Sequence, residues 1–250
     1  MYRLKFAAAA LLALAIAGPG VACRSTPPQA APATPPVVAA TAPATQPDLR
    51  MSGPSAVPPK YVLPSAFDFP ALLGPPPADD SDAHRAEIDK VLSLQADRTP
   101  AQEARCRAEE VVTVFAFADV LGPGFDAKEL PVTAALMQQV YVDGRATSDA
   151  AKLVWARKRP PVALPEKVKP CVRLEPSNSY PSGHATRGVM WALLLAEAFP
   201  AKRDALMARG KEIGTNRVLA GMHWPTDVEA GQKLGAAVAE RLLASPAFRA

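Results

Sequence analysis

The stretch Ser179-Tyr180-Pro181-Ser182-Gly183-His184 brings one of only three histidines to the start of an apolar run. Ser182 and Gly183 stand where a helix would begin. Backbone N–H groups there lack helical partners and carry the positive end of the helix dipole, so the place suits a phosphate-like anion. Gly183 lets the backbone approach such an anion closely, and the Ser182 hydroxyl is a further donor. A second histidine, His223, lies four residues before Asp227. Helical side chains lean toward the N-terminus, so the Asp227 carboxylate can reach back to the imidazole. Such a bond holds one ring nitrogen protonated and leaves the other free to attack.

Cations accompany the histidines. Lys152, Arg159 and Arg217 could hold anionic oxygens, arginine as a fork and lysine as a point charge. Arg157 and Lys158 share the run "KLVWARKRP". A charge run at a helix end is ordinarily solvated and complements the dipole, and these two are read that way. Each feature also has a plain structural reading: Ser182 and Asp227 as caps, His223 as a packing partner of Trp224. The combination in order is what favours chemistry.

The elements that must position these residues are helices. "DSDAHRAEIDKVLSLQ" has apolar residues at helical spacing after an acidic start, with His84 on its polar side and assigned no role. "TPAQEARCRAEEVVTVFAFADVLG" reads as a helix opened by Thr-Pro and closed at Gly122. "PVTAALMQQVYVDGRATSDAAKLVWARKRP" suggests two helices, the second stopping near Pro160. "HATRGVMWALLLAEAFP" is apolar around most of its circumference, hence buried. The next helix carries Gly210 and Gly214, small residues that would admit a close neighbour. The last opens with Pro225 and Asp227, both favoured in a first turn. Alternating β-branched runs are nearly absent. The expected fold is all-α, a compact multi-helix domain around a helix-bundle core, spanning 61–250.

Sixteen of the 28 prolines fall before residue 78, which divides the chain. Residues 1–22 have the layout of a signal peptide: Arg3 and Lys5, an apolar run from Phe6 to Ala17, then helix breakers and small residues. Gly20-Val21-Ala22-Cys23 also resembles a lipoprotein cleavage box, so Cys23 offers a membrane tether through a lipid. Both routes cut before Cys23 and imply a periplasmic or secreted product. Residues 23–60, rich in Pro, Ala and Thr, read as a disordered linker or tether. "YVLPSAFDFPALLGPPP" is expected to lie across the domain surface as irregular chain. Cys106 and Cys171 form an even pair that a disulfide or two free thiols would explain equally. The net charge of +4 is modest and no dense basic stripe appears, which argues against nucleic-acid partners. A homo-oligomer is compatible with the composition.

Lys152, six residues, then Arg159-Pro160; Pro181-Ser182-Gly183-His184; Arg217, five residues, His223, three residues, Asp227. This order resembles the three-part signature of the type 2 phosphatidic acid phosphatase superfamily. Within it the chain most resembles bacterial class A non-specific acid phosphatases, from about residue 60 to the C-terminus. One position departs: the family usually has Ser before the last arginine, where this chain has Asn216, a candidate phosphate contact through its amide. The resemblance implies hydrolysis of small soluble phosphomonoesters with no cofactor and no metal. His223 would attack phosphorus and form a phosphohistidine, Asp227 would orient it, and His184 would protonate the leaving alcohol and then activate water. Lys152, Arg159, Ser182, Gly183 and Arg217 would bind phosphate.

Two other classes fit parts of the sequence. A vanadate-dependent haloperoxidase would use the same pocket, and a non-enzymatic envelope protein would explain the N-terminal arm alone. A zinc or two-metal phosphatase needs a dense ligand cluster that the sequence lacks, and three cations would repel the ion.

Overall fold

The structure, a computed structural model, describes residues 57–250. The signal-peptide and lipid-box readings, with Cys23 and most of the linker, lie outside the described residues. Among those residues the chain forms ten α-helices and no strand, as the patterning requires: α1 (Phe69–Leu73), α2 (Asp82–Asp97), α3 (Pro100–Ala108), α4 (Ala118–Leu121), α5 (Pro131–Trp155), α6 (Pro160–Ala163), α7 (Gly183–Ala198), α8 (Arg203–Leu219), α9 (Pro225–Ala244) and α10 (Pro246–Arg249).

Helix α7 is central because its composition leaves it no polar face. Thirteen of its sixteen residues are buried, and α5, α8 and α9 pack around it. Close approach needs small residues. A Cβ on Gly188 would meet the Gly210 carbonyl closer than 3.0 Å, and one on Gly210 would meet the Gly188 carbonyl likewise. The α7–α8 crossing is therefore a reciprocal backbone contact, which the expected small face of α8 supplies half of. On α9, Gly231 meets the carbonyl of Ser182 in the same way. That contact presses the start of α9 against the turn that carries His184.

Four local readings change. Residues 131–155 form one unbroken helix rather than two. Gly144 does not interrupt α5; a Cβ there would strike the Met190 side chain, so the glycine makes room for α7. The helix stops at Ala156, which is left-handed with φ 48°. Conversely, the expected helix ending at Gly122 breaks after Ala108. Thr99 and Gln102 form a capping box at its start, but a turn and bend follow over 109–111 and Thr113 is extended, consistent with the β-branched residues there.

The segment expected on the surface instead inserts Val62, Phe69 and Leu73 into the core. Its backbone needs partners there, and the fully buried Asp143 of α5 supplies them. The Asp143 carboxylate accepts from the N–H groups of Lys60, Tyr61 and Val62 at 2.8, 2.8 and 3.0 Å. Tyr180 Oη donates to the carbonyls of Leu73 and Gly74, tying this strap to the loop before α7. Finally, His84 does not lie on a polar face. It is buried, its ring edge against Trp224 with centroids 4.7 Å apart, because α2 packs onto α8 and α9.

Candidate active site

The sequence-selected residues converge where the C-terminal ends of α5 and α8 meet the N-terminal ends of α7 and α9. Pro225 and Asp227 occupy the first turn of α9, as their capping preferences dictate. From there the Asp227 carboxylate reaches back: Oδ2 lies 3.2 Å from His223 Nδ1. The same oxygen accepts from Trp224 N at 2.8 Å and Ser179 Oγ at 2.5 Å. The other, Oδ1, accepts from Arg157 Nη1 at 2.8 Å. An acceptor so held fixes the proton of His223 on Nδ1 and leaves the lone pair on Nε2. That Nε2 lies 2.9 Å from Arg159 Nη1. Burial, then the charges of Arg159, Lys152 and Arg217, push the His223 pKa well below its ordinary value. A neutral imidazole is the form a nucleophile needs.

Arg159 is shaped by its loop. Nε donates to Ser177 O at 2.8 Å, Nη1 to Met222 O at 3.1 Å, and Nη2 to Ser177 Oγ and Glu175 Oε2, each at 2.9 Å. Arg217, in the last turn of α8, is 1% exposed and donates Nη2 to Glu175 Oε1 at 2.7 Å. Its Nε and Nη1 find no hydrogen-bond partner among the described residues. A buried guanidinium with unused donors costs free energy, which a bound oxyanion would offset.

Lys152 plays a different part from a free point charge. Its three N–H bonds go to the carbonyls of Asn178, Ser179 and Pro181 at 2.6, 3.2 and 2.7 Å. It thereby holds the loop that delivers Ser182 and His184. Burial first, and Arg159 next, lower its pKa to about 7. Ser182 caps α7 by accepting from Ala185 N at 3.4 Å, which leaves its hydroxyl proton to give. Gly183 is the first residue of α7.

His184 is buried in the first turn of α7. Its Nε2 donates to Glu109 O at 3.2 Å, so Nδ1 carries the lone pair and faces Arg187 Nη2 at 3.4 Å. Burial, then Arg217 and Arg187, hold its pKa well below the usual value. Arg187 is a cation the sequence reading passed over. Its helical spacing from Gly183 and His184 was the available signal.

Asn216 is aimed elsewhere than at the pocket. Its Nδ2 donates to Glu109 Oε2 at 2.8 Å, and that carboxylate also pairs with Arg209. Since Glu109 carries the carbonyl that holds His184, Asn216 acts on that support. Asn216→Ser, too short to reach, should lower the melting temperature by several degrees, about 1 kcal/mol, with a several-fold slower rate. Thermal unfolding and steady-state kinetics check both; unchanged stability with altered substrate preference would instead mean a direct substrate contact.

Arg157 corrects the solvated reading. It is buried and bridges Asp227 to Glu87, with Nη2 2.5 Å from Glu87 Oε2. Glu87 also accepts from Thr226 N and Oγ1 at the head of α9. Lys158 is exposed, as expected. The thiols of Cys106 and Cys171 are both free. Cys106 Sγ donates to Asn216 O at 3.3 Å, and burial followed by the Cys171 thiol pushes its pKa up to about 12. Among the described residues no group of three or more His, Cys, Asp and Glu side chains could hold a metal ion.

This arrangement extends over a recognisable sequence region. The PAP2 superfamily profile matches residues 131–249, from α5 through α10. A non-specific acid phosphatase of Salmonella typhimurium is 32% identical over 190 residues, 71% of this chain and 74% of that protein. The chain belongs to the PAP2 superfamily. A non-specific acid phosphatase of Providencia stuartii is 30% identical over 194 residues, 74% of this chain and 77% of its own length. The likeness reaches the structure of a bacterial vanadium-dependent iodoperoxidase, with a TM-score of 0.53 at 18% identity. It covers 68% of this chain and 51% of the other. At that distance the likeness concerns the fold. The PAP2 match spans Lys152, Arg159, Ser182, His184, Arg217, His223 and Asp227; Glu87 and Glu109 lie before it.

Proposed function

We propose that this protein, a phosphatase by family, hydrolyses small soluble phosphomonoesters without a metal ion, through a phosphohistidine on His223. The observation that carries the reading is the pairing of a neutral, Asp227-oriented imidazole with the under-used donors of Arg217. His223 Nε2 forms a bond to phosphorus as the ester P–O bond breaks. The departing oxygen takes its proton from His184 Nδ1. Water then attacks phosphorus, gives its proton to His184, and the P–N bond electrons return to His223. Arg159 and Arg217, with Ser182 and the Gly183 N–H, stabilise the oxyanion charge, the main source of catalysis in phosphoryl transfer. The sequence supports a site of action outside the cytoplasm, with Cys23 as an attachment point. No helix of the described residues is long and apolar enough to cross a membrane.

The signs of the histidine shifts give the pH profile. Both pKa values are depressed in the resting pocket, chiefly by burial and next by cations. A bound phosphate dianion offsets those cations, so the His184 pKa rises in the substrate complex. The kcat should therefore fall as pH rises through the His184 value, while kcat/KM should fall at low pH as His223 takes a proton. His184→Asn should remove the basic limb for substrates with good leaving groups. A basic limb that persists in that variant would reassign the acid.

Inorganic phosphate and vanadate should inhibit competitively, and Arg217→Ala should weaken vanadate roughly 10- to 100-fold, the loss of one or two charge-assisted bonds. Activity should survive exhaustive chelation. Loss on chelation with recovery on adding zinc or magnesium, or vanadate binding untouched by Arg217→Ala, would overturn the reading.

A further inference from the structure

The loop between α6 and α7 carries a carboxylate that the mechanism does not use. Glu175 Oε2 lies 2.9 Å from Arg159 Nη2, and Oε1 lies 2.7 Å from Arg217 Nη2. It spans the two arginines assigned to the phosphate. A carboxylate bridging two guanidinium groups uses the donors that a phosphoryl group would use. The groups acting on it are those of the site: His184 from α7, Arg217 from α8, Arg159, and His223 from the loop before α9. Lys152 of α5 feels it as well. A phosphate that takes the Nη2 groups of Arg159 and Arg217 would displace the Glu175 carboxylate from them.

We propose that Glu175 is a built-in competitor for the phosphate pocket, occupying the Arg159–Arg217 pair in the resting enzyme and leaving when a phosphate anion binds. The inference rests on the assignment of those arginines to phosphate. Three features let the side chain leave. It is attached to chain without regular structure: no backbone N–H or C=O of Leu174, Glu175 or Pro176 is hydrogen-bonded among the described residues. Its side chain is 35% exposed. A cleft of about 310 Å³, lined by Lys158, Arg159, Val162, Glu175 and Ser177 among others, adjoins it. The segment can shift without breaking a ladder of bonds. The competitor also neutralises buried guanidinium charge that would otherwise stand uncompensated.

Competition is linked to pH. On the arginines, Glu175 is held far below the ordinary carboxylate range; although burial opposes this, the four neighbouring cationic or cationisable groups prevail. Displaced into solvent, it returns to an ordinary pKa of about 4.3. The closed contact therefore has its full strength above that value and weakens as pH falls through it toward the depressed one. Displacement below about pH 4.3 takes up a proton, so falling pH favours phosphate over Glu175. This acid preference is separate from the proton supplied by His184.

The test compares full-length wild type with Glu175→Gln. KM for p-nitrophenyl phosphate and the inhibition constants of phosphate and vanadate are measured from pH 3.5 to 7.5. Both should fall about tenfold in the variant at pH 6 and above, with kcat changed far less. The variant-to-wild-type ratio cancels ionisation of the substrate, and it should approach one below about pH 4. If Glu175→Gln is unstable by thermal unfolding, Glu175→Ala is read in the same way. Equal or weaker anion binding in an active variant overturns the proposal and leaves the phosphatase reading standing. A wild type that shows no phosphomonoesterase activity, or whose vanadate binding ignores Arg217→Ala, removes the phosphatase reading itself. A tighter-binding variant whose advantage is the same at pH 4 and pH 7 overturns the displacement step.

Discussion

His223→Asn should abolish turnover, by at least about four orders of magnitude, because no neighbouring group can replace the attacking nitrogen. The imidazole sits between two fixed partners, Asp227 on Nδ1 and Arg159 on Nε2. The asparagine amide has no comparable lone pair to direct at phosphorus. Its fold should survive, since the Asp227 carboxylate keeps its bonds from Arg157, Ser179 and Trp224. A labelled phosphomonoester mixed rapidly with wild type and quenched in alkali should leave label on the peptide containing residue 223. The variant should carry none. Residual turnover above about one per cent, or label at another residue, would remove His223 as nucleophile.

Asp227→Asn should cost both rate and stability. The rate should fall about a thousandfold, because an amide can present its NH₂ to Nδ1 and stabilise the wrong tautomer. Stability should fall by about 3 kcal/mol, because Arg157 would lose one carboxylate in a buried environment. A cap on an exposed helix would cost only about 1 kcal/mol and leave the rate alone. The carboxylate is fully buried and carries the Arg157 ion pair, so the larger figure applies. Melting temperature and kcat per folded molecule separate the two effects. Normal kcat in the folded fraction would reduce Asp227 to a structural anchor.

What the sequence could determine is what depends on near neighbours. Ser182-Gly183 opens a helix, Pro225 and Asp227 open another, and Asp227 reaches back four residues to His223; capping and helical lean decide these locally. The apolar circumference of α7 marked it as buried before any partner was known. The order of Lys152, Arg159, Ser182, His184, Arg217, His223 and Asp227 was legible too. Where each would point was legible only in part.

Tertiary structure decided the rest, because the deciding partners are far apart in the chain. Arg157 looks like a solvated helix-end cation until Asp227, 70 residues on, and Glu87, 70 residues back, close around it. Asn216 looks like a phosphate contact until Glu109, 107 residues away, takes its amide. His84 belongs to a polar-looking face until α9 brings Trp224 against its ring. One helix stands where two were expected, and Met190 of α7 fills the space beside its Gly144. Glu175, in a loop with no periodicity, gave no local sign that it would sit between Arg159 and Arg217. Hydrophobic period and caps are properties of a few consecutive residues. The charge environment of a buried side chain is a property of whichever helices the packing brings together.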